Sequence, residues 1–107
     1  MITIEDFKKL EIRVGLIKKA ERISESEKLL KLEVDFNEEE PRIVLAGIGP
    51  FVEPDNLIGK KYPFVTNLPP RDMIGFQSQA MIMAVVSDDN FSLLSVDDSI
   101  SPGSRVS

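Results

Sequence analysis

The chain contains no cysteine, no histidine and no tryptophan. Without cysteine there is no disulfide and no thiolate nucleophile. Without histidine there is no imidazole general base, and the two absences together remove Cys/His zinc sites. A cysteine-free chain suits a reducing compartment. Aromatic residues make up only 7% of the chain. Phe7, Phe36, Phe51, Tyr62, Phe64, Phe76 and Phe91 are the full set, and most sit at core-phase positions of strand patterns. That argues against gripping single-stranded nucleic acid along a row of stacked rings and favours recognition of a folded shape. Phe76, beside Gly75, is the ring best placed for exposure. No apolar run approaches membrane-spanning length, and the N-terminal MITIEDFKK lacks a signal-peptide layout. The expectation is a soluble cytoplasmic protein with no membrane partner. Positive charge becomes scarce late in the chain. Residues 1–71 carry 12 Lys+Arg and 13 Asp+Glu, whereas residues 72–107 carry five Asp and only Arg105. The net charge of −5 argues against unspecific electrostatic binding to nucleic acid but leaves room for a local basic face.

What is present points to strands. The 107 residues, 42% of them hydrophobic, suffice for one core and one domain, residues 1–107. Thr3-Ile-Glu-Asp6 reads as a capping box with Asp in the acidic position, followed by Phe7 and Leu10 at helical spacing. Residues 11–23 alternate as a long strand, where Gly15 signals a bulge or bend. Leu30, Leu32, Val34 and Phe36 alternate against Lys31, Glu33 and Asp35, the clearest half-buried strand in the chain. Residues 42–46, 60–67, 80–87 and 91–96 supply four more strands. Pro54 to Ile58 forms one helical turn closed by Gly59, and Ser101-Pro102-Gly103 a final turn. Five or six short strands with a small helix between the third and the fourth predict an all-β fold. The expected form is a five-stranded Greek-key barrel of the OB type, with a short N-terminal helix and a C-terminal extension.

The segment Asn67–Ala84, NLPPRDMIGFQSQAMIMA, carries the binding chemistry. Pro69, Pro70 and Gly75 impose a structured loop between strands. It holds amide, guanidinium, hydroxyl and thioether groups, a set that recognises rather than catalyses. Arg71 follows a rigid Pro-Pro and suits phosphate or carboxylate, the alternative being an ion pair with Asp72 or another acid. Ser78 can bond a phosphate or a base edge, and Met81 can pack on a base through its sulfur. Arg13, Lys18, Lys19, Arg22, Lys28, Lys31, Lys60 and Lys61 either line one phosphate-tracking face or are ordinary solvated cations interleaved with Glu. Glu38-Glu39-Glu40 reads as a solvated turn. No nucleophile–base pair stands out, so no enzyme is expected.

The strings DFKKLEIRVGLIKKAE, SEKLLKLEVDF, NLIGKKYPFVTNLPPR, GFQSQAMIMA and SPGSRV, in this order, resemble the tRNA-binding domain family. That family includes stand-alone homodimeric proteins, a domain appended to many methionyl-tRNA synthetases, and a chaperone-like branch. The resemblance implies an OB-fold that binds the outer corner of tRNA by shape, without chemistry, cofactor or metal. It implies contact through Lys31, Asn67, Arg71, Ser78 and Met81, and, as partners, tRNA, a methionyl-type synthetase and a second copy of the chain. Where the family often has cations around the loop arginine, this chain has Pro69 and Asp72, and ISESEKLL stands where many members have a His-Pro pair. The alternative the resemblance carries is a dimer of the chaperone-like type that binds peptides or proteins.

Overall fold

The computed structural model describes residues 1–107. Helix α1, Ile4–Lys8, starts at Thr3, whose hydroxyl accepts from the Asp6 amide while the Asp6 carboxylate accepts from the Thr3 amide. The predicted capping box is therefore formed. Nine strands follow: β1 Ile12–Ile23, β2 Ser26–Asp35, β3 Arg42–Ala46, β4 Lys61–Val65, β5 Arg71–Met73, β6 Phe76–Ser78, β7 Met81–Ile82, β8 Ala84–Ser87 and β9 Asn90–Leu93. A 3₁₀ turn at Pro54–Asn56 precedes β4.

Five strands form one antiparallel sheet in the order β3-β2-β1-β4-β7. The long β1 makes this possible, because its first half, Ile12–Leu16, pairs with β4 while Leu16–Ile23 pairs with β2. One strand thus serves both halves of a curled sheet. The register slips between Ile17 and Lys19, which leaves Lys18 as the bulged residue. Gly15, expected at a bulge or bend, remains paired with Tyr62, so the bulge itself falls at Lys18. The small size of Gly15 has a packing reason, since a Cβ there would lie 2.4 Å from Val34 Cγ1 and 2.7 Å from Phe36 Cε1.

The core lies inside the curl. Leu30, Leu32, Val34 and Phe36 are all buried, as their alternation requires, and pack with Ile17, Val44, Tyr62 and Phe64. Phe36 and Phe64 meet edge to face at 5.2 Å between ring centres. Leu57, just after the 3₁₀ turn, is buried in the same core, and Gly59 at φ 83° closes that turn.

The all-β fold is as expected, but the hydrogen-bonded ladder does not run round a complete barrel. The predicted fifth strand, 80–87, divides at Met83. Met81 and Ile82 stay on β4, whereas β8 leaves to pair with β9. Too little strand remains to close the ladder, and residues 78–79 meet β3 through two side chains and one backbone bond, from the Gln79 amide to Ile43 O at 2.8 Å. The Leu45 amide donates to Ser78 Oγ at 3.0 Å, and the Ile43 amide donates to Gln79 Oε1 at 2.8 Å. The C-terminal segment lies on the edge of β1 opposite β4, where the Val14 amide donates to Ser104 O and the Val106 amide to Ile12 O. Gly103, at φ 89°, permits this approach, because a Cβ would stand 2.5 Å from Phe36 O.

Candidate nucleic-acid interface

The loop after β4 is not irregular throughout. Arg71–Met73 and Phe76–Ser78 pair as a hairpin with Arg71 opposite Ser78. Its turn residues, Ile74 and Gly75, both have positive φ, 46° and 79°. Such a two-residue turn matches the twist of its flanking strands.

This hairpin brings three of the five candidate residues together. Arg71, Ser78 and Met81 line one small cleft of about 100 Å³ with Leu45, Leu68, Pro69, Met73 and Ala80. Arg71 is exposed and forms no ion pair, with Asp72 or with any other acid. Met81 is exposed at the rim. Ser78, by contrast, is buried, and its hydroxyl is occupied: it accepts from the Leu45 amide and donates to Ala80 O, each at 3.0 Å.

The other two candidates stand apart from that cleft. Lys31 lies 4.4 Å from the centre of the Phe76 ring, so β2 and the hairpin are joined by a cation–π contact. Its ammonium is also 3.9 Å from Glu21. Asn67 ties the N-terminal helix down: its Oδ1 accepts from the Glu11 amide at 2.9 Å, and its Nδ2 donates to Lys9 O at 2.7 Å.

Many of the other cations are neutralised. Lys19 pairs with Glu33, Arg22 with Glu53, and Arg13 with Glu11 and Glu38. Lys61 donates to the carbonyls of Asp98 and Ile100, which tacks down the C-terminal tail. These side chains match ordinary solvated or structural cations more than a continuous phosphate track.

Sequence reading missed the base of the loop. Glu38 belongs to the turn read as solvated, yet its carboxylate is gripped by Arg42 Nε and Nη2, both at 2.9 Å, and by Arg13 Nη2 at 2.8 Å. The hydrogen bonds from Arg42, reinforced by the two positive charges, hold the Glu38 carboxyl below the ordinary glutamate range. Both guanidinium groups also lie over the Phe36 ring, at 5.4 and 5.5 Å. Arg42 lies only four residues from Glu38, but no sequence signal brings Arg13 of β1, 25 residues away, to the same carboxylate.

The hairpin-borne cleft, its free arginine and the curled sheet beneath it accompany a clear relationship. Residues 12–105 match the family described as "Putative tRNA binding domain". The chain belongs to this tRNA-binding domain family. It is 46% identical over 106 residues to the methionine–tRNA ligase of Helicobacter pylori strain J99, covering 99% of this chain and 16% of that protein. The chain thus spans about a sixth of the length of the curated relatives it matches. A MetRS-related protein from Pyrococcus horikoshii superposes with a TM-score of 0.94 at 38% identity, covering 99% of this chain and 97% of that one. The chaperone CsaA from Bacillus anthracis superposes with a TM-score of 0.89 at 30% identity, covering 100% of this chain and 99% of that one. No helix is long and apolar enough to cross a membrane.

Proposed function

We propose that this chain is a cytoplasmic, non-catalytic binding domain that recognises tRNA by shape, either as a stand-alone homodimer or as a module associated with a methionyl-type synthetase. Membership of the tRNA-binding domain family supports the ligand. The observation that carries the site is the unpaired guanidinium of Arg71, held on a short hairpin beside an apolar cleft. Arg71 contacts phosphate, Met81 and the Lys31–Phe76 pair flank it, and Asn67 and Ser78 hold the surface in shape. A folded RNA offers phosphates at fixed spacing, which one rigid cation and a few neighbours can read without a row of stacked rings.

A filter-binding titration with total tRNA at two salt concentrations tests this. Binding should weaken with salt. Arg71→Ala should cost about 1.5–3 kcal/mol, the range for a charged hydrogen bond, and should lower the salt slope by roughly one phosphate contact. Asp72→Lys should tighten binding by replacing a repelling charge. Full affinity in Arg71→Ala removes the hairpin from the site. Equal competition by single-stranded RNA refutes shape recognition.

A second reading, a peptide- or protein-binding dimer of the chaperone-like type, is favoured by one feature. Most residues lining the Arg71 cleft are apolar, and the similar CsaA structure is named as a chaperone. Binding of an unfolded peptide with better affinity than tRNA would select it.

Dimerisation is part of the proposal. None of the residues of α1 is buried, and Ile2, Ile4, Leu10, Val85, Val86, Leu94, Ile100 and Val106 are exposed. Apolar side chains on the N-terminal helix, the β8–β9 hairpin and the tail are what a second copy would cover.

A further inference from the structure

We infer that Arg42 is a positioning residue for the recognition loop, joining its two ends and transmitting to them the anchorage of Glu38. The inference rests on the proposed binding role of the hairpin. The loop leaves the sheet after β4 and returns before β7. Arg42 Nη1 donates to Thr66 O at 2.8 Å, at the departing end, and to Gln79 O at 3.1 Å, at the returning end. It is the one side chain that bonds both. Asn67 and Ser78 each serve one end only.

The remaining edge of the guanidinium faces Glu38, with Nε and Nη2 on its two carboxylate oxygens. Four of the five N–H groups are thus engaged, two on the loop and two on the anchor. Arg13 of β1 holds the same carboxylate. The path therefore runs from β1 through Glu38 and Arg42 to both feet of the hairpin, over the buried Phe36 ring. The geometry needs a planar fork. A lysine ammonium cannot grip a carboxylate with two parallel bonds while reaching two carbonyls on its far side. With its donors so committed, Arg42 does not face the ligand. Its effect on binding passes through the placement of Arg71.

The test is Arg42→Lys in the full chain, with tRNA as the probe and every measurement made well below the melting temperature of each variant. Amides of Leu68 and of residues 71–78 should exchange with solvent at least tenfold faster, while those of β1 and β2 keep their rates. Affinity for tRNA should fall about tenfold with an unchanged slope against log salt, because no phosphate contact is lost. Unchanged loop exchange overturns the inference. So does a loss of affinity accompanied by a lower salt slope, since Arg42 would then be a phosphate contact itself. Glu38→Gln, which keeps Arg42 but weakens its anchor, should act in the same direction and more mildly, and it serves if Arg42→Lys fails to fold. If wild type binds no tRNA, the binding reading fails, and loop exchange in the variants alone decides whether Arg42 positions the hairpin.

Discussion

Ser78 sits in the proposed binding surface with its hydroxyl already bonded inside the molecule. Its hydroxyl stands in for a missing ladder partner of β3, accepting from Leu45 and donating to Ala80. Removing it leaves the Leu45 amide, itself in a buried residue, without an acceptor. Such an orphaned group costs about 1–3 kcal/mol. Ser78→Ala should therefore lower the urea midpoint by that equivalent while the domain still folds. An unchanged midpoint would mean that the hydroxyl contributes nothing to closing the sheet. Arg71 is the opposite case. It has no partner inside the molecule, so its replacement should be felt in binding and not in melting.

At the scale of elements, the β5–β6 hairpin decides where Arg71 points. Its turn contains a conflict. Both central residues have positive φ, which suits Gly75 but is a poor conformation for Ile74, a β-branched residue. The left-handed region costs an ordinary L-residue roughly 1–2 kcal/mol, and Asn is better tolerated there. Ile74 is 46% exposed, so its side chain gives back little through packing. Ile74→Asn should stabilise the protein by about 1 kcal/mol, equivalent to a rise in melting temperature of about 4–8 °C in a domain this small. A fall in melting temperature would show that the isoleucine side chain contributes more through contacts than the backbone loses. The β8–β9 hairpin is different in kind. Phe91 stacks on Phe51 with ring centres 4.5 Å apart, and Phe91 and Leu93 pack against the core cluster. This hairpin therefore covers part of the core while still leaving Val85 and Val86 in solvent.

For the whole molecule, the distribution of charge matters more than its sum. The chain is acidic, half of its early cations are paired, and Arg105 is the one cation after Arg71. Ligand attraction then depends on a few placed groups, which predicts modest salt sensitivity rather than the steep dependence of a basic domain. The tail is pinned by Lys61 and by the amides of Val14 and Val106, so its apolar side chains are held in fixed positions on the surface. Sedimentation at micromolar concentration should give a species of twice the 12.0 kDa chain mass. A single species at the chain mass would refute the homodimer, and Val86→Asp should shift a true dimer toward monomer.

Local alternation and capping determined much of this protein. The buried face of β2, the limits of β3, the capped N-terminal helix and the turn at Pro54 each follow from residues within a few positions of one another, and each was legible as such. The chemistry of the loop was equally legible, because Pro-Pro-Arg and an internal glycine announce a rigid turn bearing a cation. Other features depended on which strands meet. Gly15 is small because Val34 and Phe36 cross over it, not because the chain bulges there. The strand expected over 80–87 divides because its second half finds a better partner in β9 than in β4. Ser78 turns inward because no strand is paired along that edge of β3, and Glu38 becomes an anchor because the curl of β1 carries Arg13 to it. Short-range steric and hydrophobic preferences are written in neighbouring residues. Long-range hydrogen bonds are not, since they exist only once the sheet has curled and brought distant donors and acceptors within about 3 Å of each other.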